Sequence, residues 1–192
     1  MSILAKSAFG NLHGSSHALA SVHRHDIHDR ADLAAVLVVA TDDDAAAELA
    51  SIGLTVPTGA GPMVAQDGLQ AIWLSPRSWV IQCAPEAEMA LVARINAAFD
   101  DRRITASLFG DHLAWIEISG ADPQALLRRG GFVSLDAGGI APGSAKRTLV
   151  AEVNVILCHI EPGRLLAGVE RSRARYFVDW LKQAAKEPSP AF

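Results

Sequence analysis

Histidine side chains are concentrated near the start of the chain, where they are the first candidates for metal binding. Five of the seven histidines fall between His13 and His28, and the densest group is HRHDIH at residues 23–28. In a strand, His23 and His25 would share one face. A tight zinc site, however, needs three or four ligands held by supporting hydrogen bonds, and no regular pattern supports this segment. We therefore expect histidines that face solvent or a partner, and no metal site.

The two cysteines are candidates for a nucleophile or a disulfide. Cys83 and Cys158 each lie in an apolar run that predicts a strand, where a free thiol packs as a small hydrophobic side chain. A reactive cysteine needs a base and a partly open, electropositive setting, and His159 follows Cys158 onto the opposite face of its strand. We predict two buried free thiols, which suits a reducing compartment.

Short catalytic motifs are absent from the sequence. It contains no Walker glycine loop, no zincin helix motif and no Gly-x-Ser-x-Gly elbow. The loop at residues 138–144 contains three glycines but lacks the preceding strand and following helix of a dinucleotide site. We interpret it as a connection, and we predict no catalytic or cofactor-binding residue in this chain.

Three arginines surround the start of the last predicted helix: Arg171, Arg173 and Arg175. The helix dipole disfavours cations at that end, so we expect these side chains to pair with something outside the helix. A carboxylate-bearing partner surface and an anionic ligand would each satisfy them. A solvated face that tolerates the mismatch is the alternative.

Two tryptophans flank a predicted hairpin turn. Trp73 and Trp79 stand on either side of the turn SPRS at residues 75–78, which includes Arg77. Tryptophans near a hairpin tip are either core residues or interface anchors. We predict that Trp73, Arg77 and Trp79 contact a partner, together with the three arginines of the last helix.

The composition limits the class of protein. The chain has 192 residues, of which 50% are hydrophobic and 20% charged, and its mean hydropathy is +0.21. These values predict a folded chain with one core or two small lobes, which excludes a large multidomain enzyme. The net charge of −4 disfavours nucleic acid and anionic membranes as partners. The longest apolar run, residues 33–40, is too short to span a bilayer and no secretory signal is evident, so we expect a cytoplasmic protein.

The order of predicted elements repeats. Residues 1–30 lack an apolar period and predict an arm or loop. The first half then gives a strand at 33–40, a helix to about 52, a loop, a hairpin of 69–74 and 79–83, a helix from Pro85 to near Asp100, and a strand at 104–108. The second half gives a strand at 113–118, a helix capped by Asp122, a loop, a hairpin of 149–157 and 165–169, and a helix from about 172 that ends before Pro188.

Each half therefore has the βαββα order that begins a ferredoxin-like unit, in which both helices cover one face of an antiparallel sheet. We predict an α+β fold of two such halves, 31–110 and 111–187, with an N-terminal arm (1–30) and a tail (188–192). Because the strands are apolar on both faces, we expect the half-sheets to associate with each other or with another chain.

Four segments resemble the gamma subunit family of heterotetrameric sarcosine oxidase. WLSPRSWVI (73–81) is similar to that family's WLGPDEWLL, and IEISGADPQALLRRG (116–130) to its I-x-L-S-G-P-x-A-x-x-L-L-x-K-G. Residues 142–151 resemble its PPG-x-x-x-QT-x-LA segment, with Arg147 in place of the glutamine, and 171–181 its closing R-S-F-A-x-Y-L-W-x-W-L. The family's GCPLDLH run has no counterpart here.

The resemblance implies a complex that oxidatively demethylates sarcosine to glycine and passes the one-carbon unit to tetrahydrofolate. It implies larger alpha, beta and delta subunits as partners, with FAD, FMN, NAD and tetrahydrofolate bound by those partners. It also implies a fold similar to the folate-binding domain of aminomethyltransferase, the glycine cleavage T-protein. The resulting expectation is a non-catalytic gamma-type subunit that stabilises the complex. A stand-alone folate or pterin binder and a histidine-arm metalloprotein are the alternatives.

Overall fold

The structure is a computed structural model that describes residues 6–11, 14–100, 102–130 and 139–186. The strands in this part of the chain are β1 (Ser16–Val22), β2 (His25–Arg30), β3 (Ala34–Ala40), β4 (Gly61–Pro62), β5 (Val64–Gln66), β6 (Leu69–Ser75), β7 (Ser78–Cys83), β8 (Ile104–Leu108), β9 (Leu113–Gly120), β10 (Ser144–Val150), β11 (Val153–Glu161) and β12 (Arg164–Glu170). The helices are α1 (Ala45–Ser51), α2 (Glu88–Ala98), α3 (Pro123–Arg128) and α4 (Ala174–Lys186), and 3₁₀ turns precede α2 (Pro85–Ala87) and α4 (Arg171–Arg173). None of these helices is long and apolar enough to cross a bilayer.

The chain divides into two compact units. One is contiguous in sequence, Asp32–Leu113, and the other combines Met1–Ala31 with Ala114–Phe192. We call them the contiguous unit and the discontinuous unit. The division into domains at 31–110 and 111–187 stays a prediction, because a contact unit is not evidence that either piece folds alone.

The contiguous unit is a five-stranded sheet in the order β5-β6-β7-β3-β8, whose neighbouring strands are antiparallel. Alternate residues of β3, among them Val36 and Val38, point to one face, because side chains alternate along a strand. Leu49 of α1 and Ile95 of α2 pack on that face and are fully buried. Burial of one such side chain contributes about 1.5–3 kcal/mol, so tertiary packing stabilises these short helices.

The discontinuous unit has its strands in the order β1-β2-β9-β12-β11-β10. Both of its helices pack on one face, through residues such as Leu127 of α3 and Phe177 of α4, and the core of this face includes Ile116 and Ile118 of β9. The predicted cap of α3 is present, since the Asp122 carboxylate accepts a hydrogen bond from the backbone N–H of Ala125 at 2.9 Å. The predicted α+β class, with helices covering one face of each sheet, is confirmed.

The prediction of an arm or loop at the N-terminus is wrong for residues 16–22 and 25–30, which form β1 and β2. β2 pairs with β9 in a register that places Ile27 opposite Ile118, and Ile27 is fully buried. The next inward-facing residue is Asp29, which is polar yet 1% exposed, so no apolar period marks this strand. Residues 1–5 and 12–13 of the predicted arm and the predicted tail at 188–192 lie outside the described residues.

The predicted second hairpin is also corrected, because the alternating stretch from Leu149 to Leu157 is two strands. Ala151 and Glu152 have φ of 50° and 62° and form the two-residue turn between β10 and β11. Positive φ at both positions fits the twist of a tight hairpin, which is usually built from Asn or Gly. The second half therefore has the order βαβββα. The predicted turn at Pro162 and Gly163 is present between β11 and β12.

Candidate functional site

Two of the three arginines near the start of α4 bind backbone of the same chain. Arg171 Nη2 donates a hydrogen bond to the carbonyl oxygen of Lys6, and Arg175 Nε donates to that of Ala8 at 3.2 Å. Arg173 is exposed and makes no hydrogen bond or ion pair with a described residue. Arg171 and Arg175 therefore bind groups outside their helix, as expected, but these groups are backbone carbonyls of the same chain.

The segment they hold, residues 6–11, is also held by a buried carboxylate. Asp29 Oδ2 accepts hydrogen bonds from Ser7 Oγ at 2.5 Å and from Asn11 Nδ2 at 2.8 Å. Such bonds offset part of the cost of burying the charge. Ala8 and Phe9 pack against the core cluster of the discontinuous unit. The N-terminal segment is therefore fixed by apolar and polar contacts together.

The exposed side of α4 carries residues of the kind that dominate protein interfaces. Phe177 and Leu181 are fully buried, whereas Tyr176 is 49% exposed. Trp180 is half-buried, with its ring 6.0 Å from that of Phe177. Tyrosine and arginine are enriched at interfaces relative to the rest of the protein surface. We call Arg173 and Tyr176 the α4 surface.

Trp79 is a core residue, which corrects the expectation that it anchors a partner. The side chain is 1% exposed and belongs to the apolar cluster of the contiguous unit. Its indole Nε1 donates to the carbonyl oxygen of Pro57 at 2.8 Å, so its single polar group is satisfied internally. The sequence placed this tryptophan near a turn but did not show which face of the strand it occupies.

The other two residues of this hairpin are more accessible. Trp73 is half-buried, and its Nε1 is shielded from solvent with no hydrogen-bond partner among the described residues. Arg77 lies at the turn, where its Nε is 2.8 Å from Asp43 Oδ1 and its side chain is 53% exposed. An ion pair this exposed contributes little stability, so Arg77 can exchange Asp43 for another carboxylate at small cost. We call Trp73 and Arg77 the hairpin surface.

Both thiols are buried and free, as predicted. Burial raises the pKa of Cys83 to about 11, with a further contribution from the nearby Glu88 and Glu86. Burial alone raises the pKa of Cys158 to about 12. Both sulfurs therefore remain protonated at neutral pH, and a protonated thiol is a poor nucleophile and metal ligand.

The histidines of the first thirty residues do not converge. His23 is in the turn between β1 and β2 with φ of 54°, whereas His25 begins β2, so the two do not share a strand face. Across the described ranges, no three His, Cys, Asp or Glu side chains are grouped closely enough to hold a metal ion. Burial lowers the pKa of His25, which leaves the ring neutral at pH 7. His13 lies outside the described residues.

A charge network in the discontinuous unit was missed by sequence reasoning. Glu117 of β9 is 9% exposed and accepts hydrogen bonds from Arg30 Nη1 at 2.6 Å and from Arg164 Nη2 at 3.0 Å. Burial acts to raise the pKa of Glu117, but the bonds from Arg164 and Arg30 outweigh it and hold that pKa below its usual value. Arg164 also pairs with Glu161 at 2.6 Å. Arg30 and Arg164 lie on different strands, 87 and 47 positions from Glu117, so no local spacing relates either of them to it.

The glycine-containing loop is a fixed connection over its described part, residues 139–144. Gln124 of α3 binds both backbone groups of Ile140, accepting from its N–H at 3.0 Å and donating to its carbonyl at 3.3 Å. The buried ring of His159 also contacts the Ile140 carbonyl oxygen through Nδ1. The Ile140 N–H is therefore already satisfied, which favours the structural interpretation over a phosphate site. Gly138 lies outside the described residues.

Comparisons with known proteins give one family and two informative structures. A family model described as "Sarcosine oxidase, gamma subunit family" matches residues 38–187. No curated protein matches the sequence significantly. A chain of the solved heterotetrameric sarcosine oxidase from Corynebacterium sp. U-96, in complex with pyrrole 2-carboxylate, is similar in structure with a TM-score of 0.76 and 19% identity. The similarity covers 91% of this chain and 90% of that one.

The second structure is the glycine cleavage system aminomethyltransferase T from Bartonella henselae. It matches with a TM-score of 0.63 and 10% identity over 86% of this chain, which spans 50% of that protein. At such identities the two structures establish the fold alone. The predicted similarity to the aminomethyltransferase fold is confirmed.

Proposed function

Because this chain belongs to the sarcosine oxidase gamma subunit family, we propose that it is the non-catalytic gamma-type subunit of a heterotetrameric sarcosine oxidase. Its role in the proposal is to stabilise the complex by contacts with larger subunits. The observation that carries the proposal is the family match over residues 38–187, most of both units. The state of the buried groups adds support for a non-catalytic role. Cys83 and Cys158 are protonated, and the buried carboxylates of Asp29 and Glu117 are held by hydrogen bonds.

The chemistry of the proposed complex belongs to its partners. The complex oxidatively demethylates sarcosine to glycine and transfers the one-carbon unit to tetrahydrofolate. FAD, FMN, NAD and tetrahydrofolate are bound by the alpha, beta and delta subunits, which are the partners of this chain. A cytoplasmic location fits the free thiols of Cys83 and Cys158, because the cytoplasm keeps cysteines reduced.

The proposed contacts use the α4 surface and the hairpin surface. On the α4 surface, Arg173 has no partner among the described residues and Tyr176 offers a large, rigid contact area. On the hairpin surface, Arg77 carries an exchangeable ion pair beside Trp73. Arg171 and Arg175 contribute indirectly, by holding the N-terminal segment beside the α4 surface.

The direct test is co-expression of this chain with alpha, beta and delta subunits, followed by size-exclusion chromatography and an assay of sarcosine oxidation. We expect co-elution in a four-subunit complex. The double variant Arg173→Glu with Tyr176→Ala should weaken association at least tenfold, because it replaces a cation and removes an aromatic contact. Asp179→Ala is the matched control, since Asp179 is exposed on the same helix and pairs only loosely, with Lys182 at 3.4 Å.

Two outcomes would contradict the proposal. One is a complex that assembles with the same affinity and stability whether or not this chain is present. The other is amine oxidation by the purified chain alone.

The alternative of a stand-alone folate or pterin binder is separated by a second measurement on the same material. The chain has four tryptophans, whose fluorescence a bound pterin ring would quench. We expect no saturable quenching when the isolated chain is titrated with tetrahydrofolate up to micromolar concentrations. Saturable quenching in that range would favour the alternative.

A further inference from the structure

The discontinuous unit contains a cavity that no part of the proposed function uses. Its volume is about 150 Å³. Its walls come from the turn before β2, from α3 and from the end of α4. The lining residues include Arg24, His25, Ala121, Asp122, Ala125 and Arg129.

The walls of this cavity are fixed by close backbone contacts. Gly120, at the end of β9, approaches the turn so closely that a Cβ there would lie 2.0 Å from the carbonyl oxygen of Arg24. The Ala121 N–H donates to that same oxygen at 3.3 Å. Arg129 Nη1 also donates to the carbonyl oxygen of Ala184 and so ties the end of α3 to α4. A site with walls fixed in this way spends little free energy on ordering when a ligand binds.

The cavity combines both signs of charge with an apolar wall. Arg24 makes no ion pair with a described residue, and the Asp122 carboxylate uses one oxygen, Oδ1, to cap α3. These charged groups all act on the His25 ring. Burial is the main cause of its lowered pKa; Asp122 acts to raise that pKa, and Arg129 and Arg24 act to lower it. The His25 ring therefore lines the cavity in its neutral form, and its Nδ1 has no hydrogen-bond partner among the described residues.

An anion would be attracted by Arg24 and Arg129 but repelled by Asp122, and a cation would meet the reverse, so either one leaves a like charge nearby. A small zwitterion would place its carboxylate near Arg24 and its ammonium near Asp122. The alanines of the wall leave room for a hydrogen or a methyl group beyond those two charges. We propose that this cavity binds a small α-amino acid of about five or six non-hydrogen atoms. The inference does not depend on the proposed function.

A second cavity, in the contiguous unit, is the natural comparison. It has a volume of about 270 Å³ and is also lined by one charge of each sign, Asp67 and Arg94, beside Leu54 and Leu91. At nearly twice the volume, it would stay partly filled with water around a five-atom ligand. Arg94 of this larger cavity is therefore a matched position for a control substitution.

The test is an NMR titration of the ¹⁵N-labelled full chain at pH 7 with glycine, alanine, leucine, acetate and methylammonium. We expect saturable shifts of the Ala121 and Ala125 amides with glycine and alanine, at dissociation constants of about 1–10 mM. Acetate and methylammonium, which each carry half of the zwitterion, should bind at least tenfold more weakly. Leucine should also bind at least tenfold more weakly, because its side chain exceeds the cavity.

Three variants locate the site. Asp122→Asn keeps an N-cap residue and removes the charge, and Arg24→Gln removes the opposite charge; each should weaken glycine binding about tenfold. Ala125→Leu should abolish binding by filling the cavity. Arg94→Gln, in the larger cavity, should leave binding unchanged.

Several results would overturn the inference. They are the absence of saturable shifts with glycine, equal binding of acetate, or glycine binding that survives Ala125→Leu. Loss of binding in Arg94→Gln alone would place the ligand in the other cavity and would equally refute this site. Failure of subunit assembly in the co-expression test would leave these outcomes unaffected.

Discussion

The two units cover a sheet with helices in the same way, but they fix their irregular backbone over very different sequence distances. In the contiguous unit, α2 holds the chain that follows it. Asn96 binds both backbone groups of Ala106 on the edge strand β8, accepting from its N–H at 2.7 Å and donating to its carbonyl at 2.9 Å. Glu88 Oε1 accepts from the N–H of Gly110 at 2.7 Å. These contacts join residues 10 and 22 positions apart.

In the discontinuous unit, the contacts that join its two pieces reach much further along the chain. Arg171 and Lys6 are 165 positions apart, and Arg30 and Glu117 are 87 positions apart. Closing longer loops costs more chain entropy, although the cost rises only with the logarithm of the length. The larger consequence is kinetic, because contacts between distant residues form late and slow folding. The segment Asp32–Leu113 supplies every strand of its own five-stranded sheet, whereas the sheet of the discontinuous unit takes strands from both of its pieces.

The largest effect is expected from removing the first piece. A chain that begins at residue 32 lacks β1 and β2, and so exposes the edge of β9 and the core around Ile118, which pairs with Ile27. We expect loss of cooperative folding of the discontinuous unit and aggregation, measured by thermal unfolding and size-exclusion chromatography. A truncated chain that remains monomeric with an unchanged unfolding transition would support an N-terminal arm and contradict the comparison.

The second largest effect is expected at the close approach between the two pieces. Gly120→Ala should destabilise the protein by about 3–5 kcal/mol, because the new Cβ would lie 2.0 Å from the Arg24 carbonyl oxygen at φ of 144°. Gly143→Ala is the control: its φ is 75° but nothing lies within 4 Å of the added Cβ, so we expect a loss of about 1 kcal/mol. Chemical denaturation measures both. Equal losses would show that backbone conformation, and not the contact, requires glycine at residue 120.

The third largest effect is expected in the charge network of Glu117, Arg30 and Arg164, which joins the two pieces of the discontinuous unit. Glu117→Gln should cost about 2 kcal/mol at pH 7, less than for a fully buried pair, because the Arg164 side chain is 40% exposed. The folded pKa of Glu117 is lowered, so its stabilisation is present above its unfolded pKa of about 4.3 and is lost as pH falls through the folded pKa.

The measurement is the free energy of unfolding from pH 7 down to pH 3. The difference between wild type and Glu117→Gln should shrink below about pH 4. A difference that is constant over this range would show that the ionised form of Glu117 is not what stabilises the fold.

The smallest effect is expected in the contiguous unit. Asn96→Ala should cost about 1 kcal/mol by removing two hydrogen bonds from the edge strand, and should increase aggregation because an unpaired edge can recruit another chain. Asn96→Asp keeps the acceptor for the Ala106 N–H and should lose about half as much. Light scattering during heating reports the aggregation. A larger loss from Asn96→Ala than from Glu117→Gln would reverse the ranking of the two units.

Prediction from the sequence succeeded best where contacts are local. The hairpin predicted at 69–74 and 79–83 is β6 and β7, and the strand predicted at 104–108 is β8. Both patterns are complete within a few residues, so apolar alternation and turn residues suffice. The helix cap at Asp122 and the buried thiols were predictable for the same reason.

The failures lie where the deciding partner is far away in sequence. β2 has no apolar period because its buried Asp29 is satisfied by Ser7 and Asn11, contacts that exist only after the N-terminal segment has folded onto the sheet. The turn at Ala151 and Glu152 uses residues that rarely adopt positive φ. Among the candidate contact residues, no sequence pattern separates buried Trp79 from half-buried Trp73, which lie opposite each other on paired strands.

By itself the sequence determined the α+β class, the order of most elements, the buried free thiols and the family. Each of these follows from residue type and short spacing, which survive in any conformation of the chain. Only the tertiary structure decided that residues 16–30 are strands, that Arg171 and Arg175 bind the chain's own backbone, and that Glu117 meets two arginines. Those outcomes depend on which distant groups the fold brings together, and that proximity is a property of the folded chain that no local pattern encodes.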